Sequence, residues 1–126
     1  YLLGTNLWHS KKLIKMARRY VQNAILADGF YAESRSKMVK DFVDSFEKTY
    51  GERPGYIEAV AFDTARMLFE MVGRPDIRFR ADLKEELMNL RGFQGVSGTT
   101  SFDDHGEAWK KLYLLRIKGD KFVQIN

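Results

Sequence analysis

The chain has 126 residues, 44% of them hydrophobic and 30% charged, with a net charge of +4. That composition argues against disorder, and no apolar run approaches the roughly 20 residues that span a bilayer. Cysteine is absent, which excludes disulfides and thiolate metal ligands and leaves the redox compartment open.

Tyr1-Leu2-Leu3-Gly4 reads as the end of a buried strand with no basic-then-apolar leader before it. The expectation is therefore a piece cut from a longer protein. The polar loop Thr5-Asn6-Leu7-Trp8-His9-Ser10 follows, and Ser10 can cap a helix reaching Val21, with Leu13, Ile14, Ala17, Tyr20 and Val21 as its apolar stripe. Lys11, Lys12, Lys15, Arg18 and Arg19 fall on the outer face of that helix. A solvated face accounts for them better than a phosphate-binding stripe, because no nucleic-acid module or interleaved aromatics accompany them, and no nucleic-acid partner is expected.

Ala24–Ala27 reads as a short strand closed by Asp28-Gly29, and residues 30–36 as loop. A second helix, capped by Ser36, runs to Tyr50 with Val39, Phe42, Val43 and Phe46 buried. Gly51 stops it and Pro54 prevents its continuation. A third helix covers Tyr56 to Val72. Its main stripe is expected at Ile57, Val60, Ala61, Ala65, Leu68 and Val72, with Phe62, Phe69 and Met71 adding apolar surface elsewhere, so it should be the most buried helix. A fourth spans about Asp82–Leu90 through Leu83, Leu87 and Leu90. Beyond it, Gly95–Phe102 and the runs Leu112–Ile117 and Phe122–Ile125 read as strands, the last two forming a hairpin that turns at Gly119. The order of elements predicts an α/β fold.

Candidate chemistry is sparse. The loop at Asn6, Leu7 and Trp8 joins a strand end to a helix start, where open α/β sheets bind ligands; Asn6 offers a donor and an acceptor, and Trp8 a stacking wall. Packing of Trp8 in a core, with Asn6 stabilising a turn, is the alternative. Asp63 sits in an apolar helix and needs a cation, a ligand amine or solvent, and an ion pair such as one with Arg66 is the simplest answer from the residues alone. Asp103-Asp104-His105-Gly106-Glu107 reads as a turn rather than a metal site, and His9 as a loop histidine. No phosphate loop, nucleophile elbow or acid–base pair is present, so neither catalysis nor a cofactor is expected.

Four segments in register resemble the C-terminal part of type I periplasmic-binding proteins, the group of branched-chain amino-acid receptors. Phe42-Val43-Asp44-Ser45-Phe46-Glu47-Lys48-Thr49-Tyr50-Gly51-Glu52-Arg53-Pro54 is similar to a helix ending in Tyr-Gly-x-x-Pro. Ala59-Val60-Ala61-Phe62-Asp63-Thr64-Ala65 is similar to the Ala-x-Ala-Tyr-Asp-Ala helix, with Phe for Tyr. Phe93-Gln94-Gly95-Val96-Ser97-Gly98 and Phe102-Asp103-Asp104-His105-Gly106 resemble the stretches that follow. Leu3 to Trp8 and Asp28-Gly29-Phe30 also resemble the binding-protein-like domain of penicillin-binding-protein activator lipoproteins.

The resemblance implies a two-lobed, Rossmann-like fold, with residues 1–27 in the second lobe, 31–97 in the first and 98–126 returning to the second. It implies a non-catalytic extracytoplasmic receptor for a solute such as an amino acid, serving an ABC transporter in the periplasm or cell envelope. The other reading it offers is a regulator that touches a cell-wall synthase. The ligand contacts it implies are Asn6, Leu7, Trp8, Phe62 and Asp63, with groups from a missing N-terminal part completing the site. Self-association of the isolated piece is a further expectation.

Overall fold

A computed structural model describes residues 2–126; the part of the expected strand end that falls on Tyr1 lies outside them. Two units make up the chain. In the first, β1 (Leu3–Gly4) pairs in parallel with β2 (Ile25–Asp28), with Leu3 opposite Ile25. Next to β2 runs antiparallel β6 (Tyr113–Lys118), and beside it β7 (Lys121–Gln124), giving the order β1-β2-β6-β7. The hairpin turns at Gly119, where a φ of 61° suits a residue without Cβ. Ile14, Val21, Ala24, Leu26, Leu115 and Ile117 form the core of this unit.

The first helix, α1, spans Lys11–Ala17 and gives way to a 3-10 turn at Arg18–Val21, so it is shorter than its stripe suggested. The Ser10 hydroxyl accepts from the Lys12 amide at 3.1 Å, the cap read from the sequence. The basic residues Lys11, Lys12, Lys15, Arg18 and Arg19 are exposed, as a solvated face requires.

In the second unit, α2 (Lys37–Tyr50) and α3 (Tyr56–Val72) enclose Phe30, Val39, Phe42, Val43, Ala59 and Val96. Gly51, at φ 75°, ends α2 by donating to the Glu47 carbonyl at 2.9 Å. Ser36 does not cap α2 through its side chain. A fourth helix, α4 (Arg80–Asn89), starts where Asp82 accepts from the amides of Arg78 and Phe79. The strands β3 (Phe93–Gly95), β4 (Gly98–Phe102) and β5 (Ala108–Lys110) form an antiparallel sheet in that order. Residues 98–110 thus stay with the second unit, and the chain rejoins the first sheet at Tyr113 rather than at Gly98.

The rotation of α3 differs from the expected one. Its buried residues are Ala59, Asp63, Met67 and Met71, at intervals of four. Ile57 is 74% exposed and Phe69 78%, and Leu68 and Val72 are exposed too; α3 has the most buried residues of the four helices, as expected, but on a different face. The cause is Asp63, a polar residue on the inner face. Its carboxylate accepts the amides of Val96 at 2.8 Å and Ser97 at 2.7 Å, which turns that face inward.

Candidate functional site

Parallel β1 and β2 end at the same edge of their sheet, so the loop after β1 and the residues after β2 meet there. Facing them is the N-terminus of α3. Between the three lies a cleft of about 710 Å³. The first unit contributes Asn6, His9 and Lys11 from the loop and helix start, and Asp120, Lys121 and Phe122 from the hairpin. Asp28, Phe30 and Tyr31 come from the end of β2, and Gly55, Tyr56 and Glu58 from the start of α3.

Its geometry is built on buried Asp28. One carboxylate oxygen lies 2.5 Å from His9 Nδ1, and the other accepts the Phe30 amide at 3.0 Å. The aspartate thereby fixes the imidazole, whose ring meets that of Phe122 edge-on at 4.4 Å. Tyr31 donates its hydroxyl proton to the Phe122 carbonyl at 2.9 Å and tilts against Tyr113 at 6.2 Å. Burial pushes the Tyr31 phenol above its ordinary pKa, Glu33 adds to the rise, and Arg53 opposes it. Across the cleft, the Tyr56 ring lies on the backbone of Gly29, where an added Cβ would come within 2.4 Å of a ring carbon. The Glu58 carboxylate accepts the Gly55 amide at 2.8 Å, while the next amides of the first turn have no intrahelical acceptor.

Of the residues singled out in the sequence, Asn6 lines this cleft. Trp8 instead packs on its own core, with its indole so close to Gly4 that a Cβ there would sit 2.6 Å away. Leu7 is 85% exposed and points elsewhere. Phe62 lies in a separate groove between α2 and α3, with its ring 4.8 Å from that of Phe42. Asp63 is wholly buried, and the Ser97 hydroxyl adds a third hydrogen bond to it at 2.5 Å. That hydroxyl also accepts from Lys110 Nζ, and burial lowers the pKa of this lysine against the pull of Asp63. Arg66 pairs with Glu70 at 3.1 Å rather than with Asp63. The expected convergence of Asn6, Trp8, Phe62 and Asp63 on one groove is therefore corrected: Trp8 and Asp63 are held in packing inside the chain, and the half-exposed Phe62 lines a groove of its own.

Asp103 accepts the amides of His105 and Glu107, each at 2.9 Å, which makes its segment a turn. Among the described residues no three His, Cys, Asp or Glu side chains gather as metal ligands. His9, Asp28, Tyr31 and Tyr56 were not singled out as site residues. The signal available was the pair of short strands: if they lie parallel, Asp28 must come to the same edge as His9.

The sequence profile described as periplasmic binding protein matches residues 2–121. The chain belongs to the periplasmic binding protein family. Among solved periplasmic binding protein structures, it is similar to one from Rhodospirillum rubrum described as a branched-chain amino acid ABC transporter, with 28% identity and a TM-score of 0.89 over 98% of this chain. A leucine-binding protein from Thermotoga maritima matches all of the chain at 23% identity and a TM-score of 0.77. An ABC transporter substrate-binding protein from Desulfitobacterium hafniense, in complex with Leu, matches 98% at 23% identity and the same TM-score. The chain spans about a third of each of these proteins, 36%, 36% and 35% respectively. No curated protein sequence matches it.

Proposed function

We propose that this chain supplies part of the binding cleft of an extracytoplasmic receptor, the substrate-binding component of an ABC transporter, and that it holds a small organic molecule without transforming it. The observation that carries the reading is the cleft at the carboxyl edge of β1 and β2. It joins aromatic walls to a small set of oriented polar groups, the composition of a ligand site. Asn6 and the Asp28-held His9 are the polar contacts, and Tyr31, Tyr56 and Phe122 the walls. Although His9 and Asp28 form an imidazole–carboxylate pair, the described residues lining the cleft include no serine, threonine or cysteine that the pair could activate. Residues 2–28 and 113–126 are read as the second lobe and residues 31–110 as the first. The family and the leucine-bearing relative support a ligand of amino-acid size. The reading as a cell-wall regulator rests only on the resemblance at residues 3–8 and 28–30.

The test is a thermal-shift screen of the full-length receptor that contains this chain against amino acids and small organic acids, since a ligand that binds only the folded state raises Tm. Hits should be lost in the Asn6→Ala/His9→Ala double variant. Hits that survive unchanged in the double variant, or a panel in which no compound stabilises the full-length receptor, would overturn the proposal.

A further inference from the structure

We infer that the outer face of α1, together with the tip of the β6–β7 hairpin, is a docking surface for an anionic lipid bilayer. The case starts from how charge is distributed. Between Thr5 and Ala27 the sequence holds Lys11, Lys12, Lys15, Arg18 and Arg19 and no acidic residue. Other surface helices mix their signs: α2 carries Asp41, Asp44 and Glu47 among its lysines, and α4 carries Asp82, Glu85 and Glu86 beside Arg80 and Lys84. A face that meets only water works with such mixing, whereas a face of one sign builds a field that attracts the other.

The hairpin extends this surface. Gln22 accepts the Gly119 amide at 2.8 Å and donates to the Gly119 carbonyl at 2.9 Å. That fastens the turn, with Lys118 and Lys121, to the 3-10 segment after α1. These seven cations are exposed, and among the described residues none of them lies in an ion pair. The first unit sets one exposed carboxylate, Asp120, against them, since Asp28 is buried on His9. Lys12, Lys15, Arg18 and Arg19 do not line the cleft, so their surface is separate from the ligand site.

Apolar surface among the charges selects a bilayer over a soluble polyanion. Lys11 and Lys15 are four residues apart, as are Lys12 and Met16, so all four share the outer face of α1. Met16 is 73% exposed there, and Tyr20, 70% exposed, closes the basic run. The Arg19 guanidinium lies 5.0 Å over the Tyr20 ring and donates to its hydroxyl at 3.1 Å, which keeps the phenol beside a cation. At a lipid interface the cations meet phosphates while Met16 and Tyr20 reach the acyl boundary. A nucleic-acid backbone rewards the cations alone and leaves Met16 in water.

The experiment is co-sedimentation of the full-length receptor that contains this chain with two kinds of vesicle, phosphatidylcholine alone and phosphatidylcholine mixed with phosphatidylglycerol. The receptor should bind the mixed vesicles, not the neutral ones, and added salt should release it. Each cation near an anionic membrane is worth about fivefold in affinity, so Lys12→Gln with Lys15→Gln and Arg19→Gln should weaken binding by about 100-fold. Met16→Ser with Tyr20→Ser should cost about fivefold more on the mixed vesicles than on poly-L-glutamate. Equal binding to both kinds of vesicle, or to neither, overturns the proposal, as does a basic triple variant that binds like the parent. An equal effect of the Met16 and Tyr20 changes on vesicles and polyglutamate also overturns it, because charge alone would then hold the surface. Displacement from the vesicles by duplex DNA or polyglutamate at equal charge concentration would assign the surface to an acidic macromolecule instead.

Discussion

Asp63→Asn separates a tie inside the protein from a contact to a ligand. The carboxylate receives two backbone amides, one on each oxygen, and the Ser97 hydroxyl on the second. An asparagine side chain presents one oxygen and one NH2. Whichever way the amide is turned, its NH2 meets a backbone N–H at the site of a former acceptor. The charge-assisted bonds are worth about 1.5–3 kcal/mol each, and a stranded buried donor costs about 1–3 kcal/mol more. Against this, a neutral amide sheds part of the desolvation cost of a buried carboxylate. The expected net loss is about 3–4 kcal/mol. At about 2–8 °C per kcal/mol for domains of this size range, Tm should fall on the order of 10–15 °C.

Urea unfolding and amide exchange at Val96 and Ser97 measure the effect, and both amides should lose protection. Ser97→Ala removes the hydroxyl alone and should cost about 1–2 kcal/mol, which keeps the test readable if the asparagine variant does not fold. The reasoning is refuted if Asp63→Asn stays within about 1 kcal/mol of the parent while ligand affinity collapses. In that case the carboxylate would serve the ligand.

Three further outcomes follow from the geometry. The raised pKa of Tyr31 means that the folded chain keeps the phenolic proton after the unfolded chain has lost it, so this stabilisation is intact below about pH 10 and is lost as pH rises through the folded value; alkaline unfolding should be shallower in Tyr31→Phe, and equal slopes would reject the assignment. Gly29→Ala places a Cβ against the Tyr56 ring, which is open on one side and can swing away; a stability loss of about 1 kcal/mol is expected, with ligand affinity falling severalfold, and unchanged Tyr56 resonances would contradict it. Ile57, Leu68, Phe69 and Val72 leave an apolar face of α3 open; light scattering should detect concentration-dependent self-association, relieved by Leu68→Lys with Phe69→Lys, and a monomer at NMR concentrations would show that this face tolerates water.

The elements bounded by local chemistry were legible in the sequence. Gly51 needs a left-handed conformation that few other residues adopt, so it marks the end of α2 without any tertiary information, and Gly119 marks the hairpin in the same way. Rotation of a helix is a tertiary property. On α3 the apolar pattern fits two faces, and the one that wins is fixed by amides more than 30 residues away that only a folded chain brings to Asp63. Trp8 is ambiguous for the same reason: an aromatic beside a strand end serves a ligand or a core equally well until Gly4 is seen beneath it. Asn6 could be placed because its position depends on the strand end alone. His9 could not, since its significance rests on Asp28, 19 residues later and across a strand pairing.

The cleft also explains why the chain changes cores where it does. Phe30 belongs to the core of the second unit and Tyr31 to that of the first, so two consecutive side chains point into different interiors. The chain passes between the units here and again between Lys110 and Tyr113. Asn6, His9 and Phe122 move with the first unit, and Gly55 and Tyr56 with the second. Two short connections therefore join the two walls of the cleft. A molecule held between Tyr56 and His9 adds contacts that the empty chain lacks, and its affinity is what remains after the two units have been ordered relative to each other. Gly29 lies at one of these connections and under the Tyr56 ring. Bulk added there acts on both the torsion and the wall, which is why the loss in affinity expected for Gly29→Ala exceeds its loss in stability.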